Sequence, residues 1–217
     1  MSGLWLALLV VLCTACPAEM ARVAVVMSGR GGAVVQARVD TWSREVGLPM
    51  VYVVVAGLAV AISPRHDALV GPHPWVAAVA VVVAPLVVAG EAAVGAVILV
   101  LGGHRPRGFT LHGAWSGATA ATVIAAAVVA VCEEVVFRDL WPADLHALLG
   151  LAAAVVLGLS AIVYGLNHWY LGGTAVVQKV LAGLVYGGLV VAGGGVVAPV
   201  VAHLVQNVGV LLVGRRP

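Results

Sequence analysis

Polar residues are sparse along this chain and fall at intervals, leaving long apolar runs between them. The windows 4–26, 46–63, 75–101, 118–140, 149–170, 174–192 and 196–213 qualify, or nearly so, as membrane crossings, which take about 20 mainly apolar residues in helical form. Val and Ala dominate these windows, a composition that in water would favour strands. Their length argues the other way, since no turn residues interrupt them at strand spacing. A helix also satisfies its own backbone groups in lipid. Gly, Pro and Arg punctuate the gaps, as in Pro64, Pro72 and Pro74, in Gly102, Gly103, Arg105, Pro106 and Arg107, and in Gly193 to Gly195. The pattern predicts an all-α, polytopic transmembrane helix bundle of about seven spans.

Composition strengthens that reading. The 217 residues are 63% hydrophobic and 9% charged, with a mean hydropathy of +1.13. A soluble domain carries about 25% charged residues, so lipid is the expected solvent for most of this surface. The net charge of +2 comes without a basic run longer than Arg215-Arg216, which excludes nucleic acid as a partner. With the N-terminus outside, Arg30, Arg38, Arg44, Arg105, Arg107, Arg215 and Arg216 fall on the cytoplasmic side and only Arg65 outside. The excess of basic residues predicts an N-out, C-in integral membrane protein. High Ala, Val, Gly and Arg usage points to a GC-rich genome and hence a bacterial cytoplasmic membrane. Leu4 to Ala18 resembles a signal-peptide core, yet no Lys or Arg precedes Arg22, so it reads as a retained first helix. Cys13 and Cys16 form a C-x-x-C inside that run and read as small apolar helix residues, without the surroundings of a redox or zinc pair.

Ionisable groups within such spans are the informative ones, because each costs about 2.5–3.5 kcal/mol at mid-membrane. Glu133 and Glu134 follow an apolar run ending at Cys132. Glu134 and Arg138 stand four apart with the acid first, the favourable order for a helical ion pair. Glu133 is turned about 100° away and has no such local partner, which leaves it available as a general base. His168 lies near the end of the fifth window, and His203 and Asn207 share one face of the last. With Gly150 as the turn between the fourth and fifth spans, Glu133 and His168 lie at nearly equal distances from it and reach a common depth. A sharp kink at Pro142, or an interfacial position for the polar stretch Arg138 to Asp144, would weaken that match.

These stretches resemble the motifs of the CAAX-protease and bacteriocin-processing (CPBP, or Abi) family of intramembrane peptidases. They read Glu133, Glu134 and Arg138 as E-E-x-x-x-R, Tyr164 and His168 as aromatic-x-x-x-H, and His203 and Asn207 as H-x-x-x-N. The first motif is usually followed by Gly, where this chain has Asp139, and the second usually opens with Phe, where it has Tyr164. The resemblance covers roughly residues 80–213, dividing the chain into N-terminal membrane helices (1–74) and a peptidase-like core (75–217). It implies that Glu133 and His168 activate a water, that His203 and Asn207 stabilise an oxyanion, and that Glu134 and Arg138 position the helix. The implied substrate is a prenylated, lipidated or otherwise membrane-tethered peptide.

Metal use stays open on the sequence. Glu133, His168 and His203 would make a His₂Glu zinc set, and the same residues would serve a metal-free water. The absence of H-E-x-x-H favours the metal-free form. Outside the motifs, Glu91 reads as a buried structural hydrogen-bonding residue among small neighbours. Lys179 is expected to snorkel to the cytoplasmic surface, a pair with Glu91 being the other reading. His66, His73, His104, His112 and His146 read as solvent-facing. Two further functions compete with peptidase activity. One is a catalytically silent immunity or scaffold protein, against which the intact set Glu133, His168, His203 and Asn207 argues. The other is a proton-coupled carrier, which would usually show related halves. A rhomboid-type serine peptidase is excluded because neither Ser28-Gly29 nor Ser116-Gly117 has a Gly-x-Ser-Gly setting.

Overall fold

A computed structural model describes Trp5, Thr14 and residues 43–63, 73–105 and 119–214. The rest of the 4–26 window lies outside the described residues, together with Cys13, Cys16, His66, His112 and most of the loop arginines. The described residues are helical with no strand among them. A π-helical turn at Ser43–Gly47 leads into α1 (Leu48–Ile62), followed by α2 (Val76–Leu101) and α3 (Ala120–Glu134). A π-helical stretch (Val135–Leu140) continues α3 into α4 (Trp141–Leu149), after which come α5 (Ala153–Leu166), α6 (Gly173–Gly193) and α7 (Val197–Gly214).

Among the described residues, four stretches are long and apolar enough to cross a bilayer: Glu45–Ile62, Val76–Leu101, Ala120–Leu149 and Gly173–Gly193. Two further apolar stretches, Ala153–Leu166 and Val197–Leu211, are shorter. Large apolar side chains such as Leu58, Val82, Leu86, Leu101 and Ile124 face outward. In water such a surface would be an aggregation liability, whereas in hydrocarbon it meets its own kind. The interior is built largely of small residues: Ala80, Ala84, Ala182 and Ala202 are buried where α2, α6 and α7 meet, so these backbones approach closely.

The fourth window holds the local feature that matters most. Pro142 does not break the helix: Ala120–Leu149 is a single helical run. The π turn ends at Trp141, whose N–H bonds the Val136 carbonyl five residues back. The next residue is Pro142, which has no N–H to offer and sits in the first turn of α4, where none is needed. The stretch is turned into the protein interior. Phe137, Arg138, Asp139, Leu140, Trp141 and Asp144 are all buried, and the Trp141 Nε1 donates to the buried Thr14 hydroxyl at 2.7 Å. Gly150 closes α4 in the left-handed conformation (φ 62°) and makes the expected turn into α5. Gly194 (φ 73°) does the same between α6 and α7.

Candidate active site

The start of α3 is fixed by a reciprocal cap. The Thr119 hydroxyl accepts from the Thr122 N–H, and the Thr122 hydroxyl accepts from the Thr119 N–H. Both hydroxyls also donate to Glu45 Oε1, at 2.7 and 2.9 Å, bringing an anion to the helix N-terminus. Four turns on, α3 delivers Glu133 and Glu134 to the interior, 3% and 0% exposed.

The adjacent carboxylates have different surroundings. Glu134 Oε2 lies 3.3 Å from Arg138 Nε in the expected i,i+4 pair, and its Oε1 lies 2.8 Å from His203 Nδ1. The Arg138 guanidinium also covers the Tyr164 ring, 4.2 Å from its centroid, and lies 5.6 Å from that of Tyr186. Glu133 has no cation on its own helix to pair with, but it is not without a partner. The Tyr52 hydroxyl, from α1, donates to its Oε1 at 2.6 Å, and the Asn167 amide donates to that hydroxyl at 2.6 Å.

His168 stands just beyond the end of α5. Its Nδ1 lies 2.9 Å from the Tyr164 carbonyl, an oxygen that can only accept, so Nδ1 carries the proton. In the neutral ring this leaves the Nε2 lone pair for other partners, and Nε2 lies 3.9 Å from Glu133 Oε1. His203 Nε2 lies 3.8 Å from Glu133 Oε2. Both gaps are too long for direct hydrogen bonds and short enough for one small molecule to touch both sides. The Tyr164 ring holds the two imidazoles from one side, edge-on to His168 at 4.9 Å and to His203 at 6.2 Å. Its hydroxyl is buried without a hydrogen-bond partner among the described residues. Asn207, one turn beyond His203, donates to the Ala126 carbonyl at 3.3 Å.

Glu133, His168, His203 and Asn207 line one cavity of about 140 Å³, with Leu48, Ala125, Val129, Val210 and Leu211 as apolar wall and Tyr52, Lys179 and Gln206 as further polar lining. The four motif residues that the sequence singled out for chemistry thus meet. Glu134 and Arg138 stand behind His203, away from the lining. Among the described residues no three His, Cys, Asp or Glu side chains are arranged to hold a metal ion.

The sequence reading missed Tyr52 and Asn167. Tyr52 sits in an ordinary apolar run, where an aromatic residue carries no signal. Asn167 had one: a polar amide beside His168 in an apolar window, and it is fully buried. Lys179 does not run to the surface. It pairs with Glu91 Oε1 at 2.8 Å, because Glu91 lies on α2 directly across from it and offers a buried counter-charge. Of the five histidines read as solvent-facing, His73, His104 and His146 (the last on α4) are exposed, as expected.

Bilayer-length helices around a carboxylate–imidazole cavity define an integral membrane protein with the groups of a hydrolase. Residues 115–209 match the model of the family described as type II CAAX prenyl endopeptidase Rce1-like, in agreement with the resemblance read from the motifs. The match takes in α3 through most of α7 and all seven motif residues, while Tyr52 and Glu91 lie outside it. No curated protein and no solved structure matches the chain.

Proposed function

We propose that this chain is an intramembrane endopeptidase that hydrolyses a peptide bond of a prenylated, lipidated or otherwise membrane-tethered substrate with a water activated by Glu133 and His168. The observation that carries this reading is the convergence of Glu133 with two imidazole Nε2 atoms, at 3.8 and 3.9 Å, on one cavity. A water between Glu133 Oε1 and His168 Nε2 would donate one hydrogen bond to each. Glu133 takes one proton as the water oxygen attacks the scissile carbonyl carbon. The developing oxyanion is met by His203 Nε2–H and the Asn207 amide. Donation from both nitrogens of His203 is the charged imidazolium, and Glu134 is its counter-charge at 2.8 Å. Collapse re-forms the carbonyl and breaks the C–N bond, and the proton held by Glu133 passes to the departing amine.

The apolar wall of the cavity suits a lipid-modified or hydrophobic peptide. The bias of loop arginines supports a cytoplasmic C-terminus. The test is cleavage of farnesylated and lipid-anchored peptides by the full chain in liposomes. Wild type should cleave at least one of them, and Glu133→Gln and His168→Ala should lose turnover while remaining folded. Cleavage that persists in Glu133→Gln sinks the mechanism. Chelation followed by zinc addition in the same assay separates a metal-held water from a metal-free one.

A further inference from the structure

We propose that Tyr52, held in turn by Asn167, is a positioning residue for Glu133. This inference rests on Glu133 being the base in the reading above. Tyr52 is 2% exposed and Asn167 fully buried, and the two form a directed chain. The Asn167 amide can only donate to a phenol oxygen, so its 2.6 Å bond occupies an acceptor site of Tyr52. The Tyr52 O–H then points to Glu133 Oε1, also at 2.6 Å. The consequence lies in the carboxylate's orientation. With Oε1 pinned, Oε2 faces His203 Nε2 at 3.8 Å and Oε1 keeps a free lone pair towards His168 Nε2 at 3.9 Å. Released from Tyr52, the carboxylate could rotate onto either imidazole and close the gap in which a water is to be held.

Packing alone accounts for the ring of Tyr52 but not for its hydroxyl. The ring belongs to an apolar cluster with Val136, Phe137 and Tyr164 between α1 and α3. The hydroxyl is a polar atom in that cluster, placed between the carboxylate and the residue next to His168. Through it, α1 contributes to a site whose motif residues all lie within residues 115–209. The region read from sequence as standing outside the motifs therefore supplies a hydrogen bond to the central carboxylate.

Tyr52→Phe separates the two contributions, because it keeps the ring and removes only the hydroxyl. In the full chain reconstituted in liposomes, kcat should fall roughly tenfold to a hundredfold, the range for losing a hydrogen bond to a charged group, while KM and the thermal midpoint stay near wild type. Asn167→Ala should fall less, and the double variant should be no slower than Tyr52→Phe alone, since Asn167 acts through the phenol. A wild-type kcat in Tyr52→Phe, or a loss carried wholly by KM, overturns the proposal. Glu133→Gln in the same assay keeps the two readings apart. If it abolishes cleavage while Tyr52→Phe keeps the wild-type kcat, only the positioning role fails. If it cleaves normally, the assignment of Glu133 fails and this inference falls with it.

Discussion

Two carboxylates in this bundle, Glu133 on the cavity and the half-buried Glu91 behind its lining residues Lys179 and Gln206, are finished very differently. Glu91 is closed: Oε1 takes Lys179 Nζ at 2.8 Å, Oε2 takes the Gln206 amide at 2.8 Å, and its backbone carbonyl takes the Gln178 amide at 2.5 Å. Gln206 is itself held by the Tyr186 hydroxyl. Glu133 is open: one short bond from Tyr52, then two imidazole nitrogens held just out of reach. A buried polar group without partners is costly, so a network of this kind is usually completed within the protein. On the proposed reading, what separates the two carboxylates is that the neighbours of Glu91, a cation among them, reach it, whereas those of Glu133 stop short.

The sharpest way to break that comparison is to remove the charge at the open site and leave its shape. Glu133→Gln retains an acceptor for Tyr52 and the same volume. Turnover should fall by about 10²–10⁴, the range for a general base, with little change in the unfolding midpoint, as read by cleavage and thermal unfolding in parallel. Glu134→Gln should do the reverse in proportion. It leaves the buried Arg138 guanidinium without its carboxylate and loosens His203, so stability should drop by about 3–5 kcal/mol. The activity that remains in folded protein should exceed that of Glu133→Gln. Equal loss of turnover in the two variants, with stability untouched, would mean that the carboxylates act as a unit.

The helical membrane architecture was readable because apolar length alone decides between helix and strand in lipid, and Gly150 and Gly193 to Gly195 declared their turns. The catalytic candidates were readable because Glu133, Glu134, His168 and His203 are conspicuous in apolar windows, and i,i+4 spacing is enough to separate Glu134 from its neighbour. Two things were not. The path of the chain through Pro142 depended on a π turn, a change in hydrogen-bond register that the residue pattern does not announce. The partners of Glu133 depended on which face α1 turns inward, and Tyr52 carries no mark of that within Val51 to Val55. Lys179 was misjudged for a related reason. Snorkelling is what an unpaired lysine does near a helix end, and whether Glu91 lay across from it was a question of packing between α2 and α6.

That packing has its own weak point, where α5 meets α6 just before His168. A Cβ at Gly165 would overlap the Val180 side chain and lie 2.8 Å from the Val176 carbonyl oxygen, which backbone cannot readily yield. Gly165→Ala should therefore push the helices apart, at about 1–3 kcal/mol, and lower turnover by moving His168. An inactive Gly165→Ala of unchanged stability would argue against this steric account.

The smallest effect on activity belongs to the closed network, and it tests whether closure means structure. Glu91→Gln strands the Lys179 ammonium and Lys179→Met strands the Glu91 carboxylate. Each should lower stability by roughly 1–3 kcal/mol, and the double variant by less than their sum, with a coupling of about 0.5–3 kcal/mol. Turnover in the folded fraction should stay within a few-fold of wild type. Lys179 does line the cavity, so the comparison has a definite way to fail. If Lys179→Met keeps its stability but loses cleavage, the ammonium is reaching substrate rather than holding Glu91. The division between a closed, stabilising carboxylate and an open, reactive one would then give way to a single polar site spanning α2, α3, α6 and α7.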